Sequence, residues 1–342
     1  MAEVIYLLNK DTLIVKPPKK SPLVYRMIVL AFSMFCGVYI CSVCLKQISR
    51  HTKPSLMDIQ ITEEPSERHG VKQSDKPSIH YPKPKTFSRA ECADNPVRYF
   101  VIVSTQRSGS GWFETLLNSH ANVSSNGEIF SLLNRRKNVS LILQTLDKVY
   151  NLDWFSSASK NECSAAVGFK WMLNQGVMDH HVEIAQYFTR RQVSVIFLFR
   201  RNLLRHMVSV LANSYDRYAK LLNGTHKSHV HSPQEAAVLL GYKPLINSSS
   251  LISDFKEMEK KVSKVLTYYN TTRHIVLYYE DLMKNWTKVK EVQEFLSLPT
   301  MDLTSRQIKI HSGLLSDHIK NWDEVLKTLN GTSYERFIHA DY

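Results

Sequence analysis

Between residues 97 and 322, short apolar runs alternate with stretches in which apolar residues recur every three or four positions. The runs are 99–104 (YFVIVS), 166–172 (AVGFKWM), 193–199 (VSVIFLF) and 274–279 (HIVLYY). They are rich in β-branched and aromatic residues and have little polar surface. That predicts strands covered on both sides. The helical spacing predicts helices near 111–120, 140–150, 179–188, 202–222, 251–269 and 288–296. The alternation predicts an α/β fold, a parallel sheet flanked by helices with ligand at the carboxyl ends of the strands. No internal repeat is visible.

Residues 27–45 form a different kind of run, without charge and near the roughly 20 residues a bilayer-spanning helix needs. Lys10, Lys16, Lys19, Lys20 and Arg26 precede it, and Lys46, Arg50 and Lys53 follow. The positive excess before the run predicts a cytoplasmic N-terminus. The late start and the absence of a small-x-small cleavage site favour an anchor over a cleaved signal peptide. Residues 46–96 are polar and carry Pro54, Pro65, Pro77, Pro82 and Pro84, which predicts an extended stem. The expected organisation is a cytoplasmic tail (1–26), a transmembrane signal-anchor (27–45), a stem (46–96) and a lumenal domain (97–342).

Asn122, Asn138, Asn223, Asn247, Asn270, Asn285 and Asn330 each open an N-x-[ST] triplet. All lie after the apolar run, as expected of a glycosylated lumenal domain in a single-pass type II protein. Cys36, Cys41 and Cys44 sit in or at the end of the run. Cys92 and Cys163 remain, and an even pair in an oxidising compartment predicts one disulfide between them. The net charge is +13. A lumenal domain rarely meets nucleic acid, so the charge points instead to an anionic cofactor and acceptor. No Cys and His set has metal-ligand spacing, so no metal site is expected.

The chemistry concentrates in residues 99–117 (YFVIVSTQRSGSGWFETLL). The predicted strand runs into Gln106-Arg107-Ser108-Gly109-Ser110-Gly111, and Phe113, Leu116 and Leu117 then mark one helix face. Strand, small-residue loop and helix make a phosphate cradle: glycines allow the turn, and loop N–H groups and the helix N-terminus attract an anion. Arg107 adds a fixed cation. The nucleotide hydrolase pattern GxxxxGK[ST] is absent, because Gly111-Trp112 stands where Lys-Ser would. The run 193–199 ends in Arg200-Arg201-Asn202, with Ser209 eight residues beyond Arg201. An arginine and a hydroxyl suit a phosphate dianion.

These two segments resemble the sulfotransferases that use 3′-phosphoadenylyl sulfate (PAPS) without a metal, most closely the membrane-bound, nodulation-protein-H-like carbohydrate sulfotransferases. The resemblance implies that Arg107, Ser108, Gly109, Ser110, Gly111 and Trp112 hold the phosphosulfate end, with Arg107 also catalytic. Arg201 and Ser209 would hold the 3′-phosphate, Arg200 lying one position from that register. The family's second loop threonine is replaced by Gly111, which keeps a backbone donor but no hydroxyl. The resemblance places the general base at Glu128, with His120, His180, His181 and His206 as rivals. Lys170, alone in an apolar strand, reaches the cleft to bind acceptor or sulfuryl group, or else packs its stem and snorkels. Glu280-Asp281 matches a family pair of structural role. The expected reaction is sulfuryl transfer from PAPS to a carbohydrate hydroxyl at the Golgi membrane. The alternatives are a type II glycosyltransferase, a P-loop nucleotide kinase and a non-catalytic carbohydrate binder.

Overall fold

The computed structural model describes residues 8–9, 12–13, 27–39, 42, 96–154, 156, 164–227, 229–308, 310 and 313–339. The chain divides into two units, Met1–Lys72 and Gln73–Tyr342. In the first, Leu8–Asn9 pairs antiparallel with Thr12–Leu13, and residues 27–39 are helical with Phe32, Met34, Phe35 and Val38 exposed. The predicted anchor is therefore helical over this part. Among the described residues no helix is long and apolar enough to cross a membrane. Most of the stem, Cys92 and Cys163 lie outside the described residues.

The second unit is built on five parallel strands: β1 (Arg98–Ser104), β2 (Val123–Ser125), β3 (Ala166–Met172), β4 (Ser194–Phe199) and β5 (His274–Tyr278). Their order is β2-β3-β1-β4-β5. The principal helices are α1 (Ser110–Asn118), α2 (Val139–Tyr150), α3 (His181–Arg191), α4 (Leu203–Ala219), α5 (Pro233–Leu240), α6 (Leu251–Tyr268), α7 (Tyr279–Lys284), α8 (Thr287–Phe295) and α9 (Trp322–Leu329). Both sheet faces are buried. Val101, Val103, Phe169, Trp171, Val195 and Phe197 face one core. Phe100, Ile102, Ile196 and Leu198 face another, with Phe113, Leu116 and Leu117 of α1. This period of two explains why the strands read as unbroken apolar runs.

Ser104 at the end of β1 is level with Met172 of β3 and Leu198 of β4. The connection leaving β1 goes to β2 at one edge, whereas that leaving β3 crosses to β4 on the other side. Between these two strands a crevice opens at the carboxyl ends, the usual place for a ligand in such a sheet.

Three elements escape the sequence pattern. β2 has three residues, too few for a period, and pairs along one side only. α5 opens on a Ser232 cap with proline in its first turn, and α9 packs Val325 and Leu329 into a third core under α4. α4 also stops at Ala219, short of the predicted 222, because Lys220 turns left-handed (φ 50°).

Candidate active site

After β1 the chain turns through residues 105–109 into α1. Two of these positions are left-handed, Arg107 (φ 63°) and Gly109 (φ 80°). At Arg107 this backbone costs about 1–2 kcal/mol, a strain of the kind stored at functional turns. At Gly109 a side chain is excluded twice, by φ and because a Cβ would overlap the Tyr279 ring. No side chain caps α1, which leaves its first-turn N–H groups to a ligand. His206 secures the loop from beneath: its buried Nε2 donates to the Gln106 carbonyl (2.6 Å) and Nδ1 faces the Met258 sulfur (3.3 Å). Burial depresses its pKa to about 4. It is a brace for the loop.

The Arg107 side chain is half-buried and its Nε donates to Ser209 Oγ (3.2 Å) on α4. Burial first, then the neighbouring Arg200, lower its pKa to about 10, so it stays cationic at neutral pH. The sequence reading put Arg107 and Ser209 at opposite ends of one cofactor; the structure brings them into contact. Of the two arginines that follow β4, Arg200 is the one that lines the cavity, with its guanidinium over the Tyr279 ring (4.7 Å) and Nε donating to Glu280 (3.1 Å). Arg201 points away from it, paired with Asp281 (2.6 Å), stacked on Tyr278 (3.9 Å) and half-exposed. Glu280 also accepts the backbone N–H of Arg201 (2.9 Å) and Asn202 (3.3 Å), a structural role.

Opposite, Gly127 (φ 76°) turns the chain after β2 so that Glu128 emerges beside β3. Ile129 and Phe130, next in sequence, enter the core, where Phe130 stacks on Trp171 at 4.1 Å between ring centroids. Glu128 is thus presented from an anchored segment. Its Oε1 lies 3.4 Å from Lys170 Nζ, and its Oε2 accepts from Gln175 Nε2 (3.1 Å). Gln175 Oε1 accepts from the Met172 N–H (3.3 Å), which assigns the amide orientation. Lys170 is equally close to Glu114 of α1 (3.2 Å), and Glu114 accepts from Ser125 Oγ (2.7 Å) and Gly127 N–H (2.9 Å). Lys170 reaches the cavity as a cation shared by two carboxylates.

These groups share a cavity of about 260 Å³ at the carboxyl edge of the sheet. Among the described residues its lining includes five cations, Arg107, Lys170, Arg200, Arg205 and Arg217, against one carboxylate, Glu128. Ser110, Gly111 and Trp112 also line it, and Trp112 meets Tyr279 edge-on (5.7 Å). Ser108 does not: it is buried with its hydroxyl on Thr105 (2.5 Å). Arg205, Ser209, Asn213 and Arg217 step by four along α4, a stripe visible in the sequence but read there only at Ser209. His229, Gln175 and Glu114 carried no such signal.

The rival histidines are placed elsewhere. His120 is fully buried, Nδ1 accepting from Asn122 N–H (3.1 Å) and Nε2 donating to Pro299 O (3.0 Å). His180 precedes α3, and His181 stacks on Tyr268 (3.4 Å). Of the seven sequon asparagines, Asn122 is fully buried and unable to carry a glycan in the folded chain. The other six, Asn138, Asn223, Asn247, Asn270, Asn285 and Asn330, are exposed.

A parallel α/β sheet with a strand–loop–helix at its centre and a cation-lined cavity above it defines the class, an α/β protein whose strand ends carry a cavity suited to an anion. The chain belongs to the sulfotransferase family, which it matches as a sulfotransferase domain over residues 98–322. It is similar to nodulation protein H of Rhizobium meliloti, 24% identical over 249 residues that cover 71% of this chain and 95% of that protein. The sulfotransferase domain from the curacin biosynthetic pathway is a further structural relative, with 16% identity, a TM-score of 0.33, and 71% of this chain and 89% of that one covered. Among the alternatives open from sequence, the family excludes a glycosyltransferase and a nucleotide kinase.

Proposed function

We propose that this sulfotransferase uses PAPS as donor and a carbohydrate hydroxyl as acceptor. The observation that carries the reading is the meeting of Arg107, Arg200 and Glu128 in one cavity with a large excess of cations. Such a lining suits a ligand with several phosphate and sulfate charges. PAPS supplies a sulfuryl group on a phosphate leaving group. Arg107, Arg200, Arg205 and Ser209, with the first-turn N–H groups of α1, are the residues to hold its anionic ends, and Trp112 and Tyr279 offer rings beside them. Glu128 takes the proton as the acceptor hydroxyl oxygen bonds to sulfur. The bond between sulfur and the phosphate oxygen breaks, and its electron pair leaves with adenosine 3′,5′-bisphosphate. Lys170 and Gln175 hold the carboxylate in place while this happens.

A carbohydrate acceptor rests on the likeness to the nodulation-protein-H-like enzymes. The placement as a single-pass type II Golgi membrane protein rests on the charge asymmetry around 27–45 and on six exposed sequons beyond it. The test of the chemistry is transfer of labelled sulfate from PAPS to a panel of glycans, tyrosine peptides and small alcohols. Glu128→Gln keeps the side chain's size and loses the base. We expect it to lower transfer by about 10²–10⁴ while sparing bisphosphate affinity. Parental turnover in this variant would remove Glu128 from the reaction, and transfer to peptides alone would remove the carbohydrate assignment.

A further inference from the structure

The α4–α5 connection brings His229 over the phosphate loop, more than a hundred residues away in sequence. Its ring sits so close to Gly111 that a Cβ there would overlap the imidazole. The approach is anchored. Val230 is fully buried and its carbonyl accepts from Ile308 N–H (3.0 Å), while Gln307 and Ile308 line the same cavity. Gly111 belongs to the uncapped first turn of α1, where an anion is favoured. A hydrogen-bonding ring thus occupies the space that a side chain on residue 111 would fill. The residue is exposed on its outer side, but desolvation of the ring over the loop, then Lys170 and Arg107, lower its pKa to about 4, which favours a neutral ring that can donate and accept. Neither the sequence motifs nor the family match points to this residue.

We propose that His229 is a catalytic residue of the donor site, supplying to the transferred sulfuryl group the side-chain hydrogen bond that position 111 cannot. This rests on the PAPS reading above. In the reaction His229 forms no covalent bond; it donates to a sulfuryl oxygen while sulfur passes from phosphate oxygen to acceptor oxygen and Glu128 takes the proton. Because adenosine 3′,5′-bisphosphate has no sulfuryl group, the contact is absent when the product analogue binds. The role therefore separates turnover from bisphosphate affinity, which a mere space-filler would not do.

The test measures kcat at saturating PAPS and, separately, the Kd for adenosine 3′,5′-bisphosphate. We expect His229→Ala to lower kcat by about 10², the size seen when one oxyanion donor is removed, and to leave the bisphosphate Kd within about threefold. His229→Gln, which restores an N–H donor, regains most of the loss. So does Gly111→Ser combined with His229→Ala, which returns a hydroxyl to the vacated space. Retained bisphosphate binding shows that each variant is folded. Parental kcat in His229→Ala, or equal losses in the alanine and glutamine variants, overturns the assignment of His229 alone. A parent protein that binds no bisphosphate overturns the PAPS reading, and the role of His229 with it.

Discussion

At the scale of single residues, the centre of the site is an ionic cluster that the sequence only hinted at. Lys170 was conspicuous as a lone cation in an apolar strand, but its partners could not be read. Glu114 is a helix residue 56 positions away by number, and only the packing of α1 against β1 and β2, the strands on either side of β3, brings the two within 3.2 Å. Lys170 and Glu114 are almost fully buried, so removing Lys170 leaves a buried carboxylate without its counter-cation. Lys170→Ala should therefore destabilise the fold by about 3–5 kcal/mol. Lys170→Met with Glu114→Gln should lie closer to the parent, because the amide oxygen can still accept from Ser125 and Gly127. Urea unfolding measures both. A cost under about 1 kcal/mol for Lys170→Ala would mean that this pair does not hold the base in position.

At the scale of elements, the parts that build the cavity floor were legible and the parts that close it were not. The four long strands read as unbroken apolar runs because each is covered on both faces, and the helices after them carry a period of 3.6 because each buries one face. The loop between β1 and α1 was legible for another reason: its glycines do backbone work that other residues cannot. At Gly109 both φ and the Tyr279 ring exclude a side chain. The sequence could not distinguish Arg200 from Arg201, because both follow β4 directly. That choice is made by α7, whose Glu280 and Asp281 each take one arginine, Glu280 inside and Asp281 outside. The wall of the cavity built by His229 and residues 307–308 comes from irregular connections, where no period exists to be read. β2, with three residues, was missed for the same reason.

At the scale of the whole molecule, the apolar helix of 27–39 and the sequons belong to one proposal about topology. If the domain enters the secretory pathway, enzymatic removal of N-glycans should increase its electrophoretic mobility. Each substitution of an occupied exposed sequon should abolish one step, and Asn122→Gln should abolish none, because that side chain is fully buried. Unchanged mobility on deglycosylation, with the C-terminus open to cytosolic protease, would contradict the type II arrangement.

The central claim is that the cavity at the carboxyl edge of the sheet binds the donor nucleotide through Arg107 and Arg200. Calorimetric titration of the purified protein with adenosine 3′,5′-bisphosphate tests it most directly. We predict metal-independent binding to the parent, weakened about ten- to a hundredfold by Arg107→Ala and by Arg200→Ala, as for loss of one charge-assisted contact of about 1.5–3 kcal/mol. Arg201→Ala, outside the cavity and paired with Asp281, should change affinity by less than about threefold. No binding to the parent, or a loss at Arg201 with none at Arg107 or Arg200, would contradict the account.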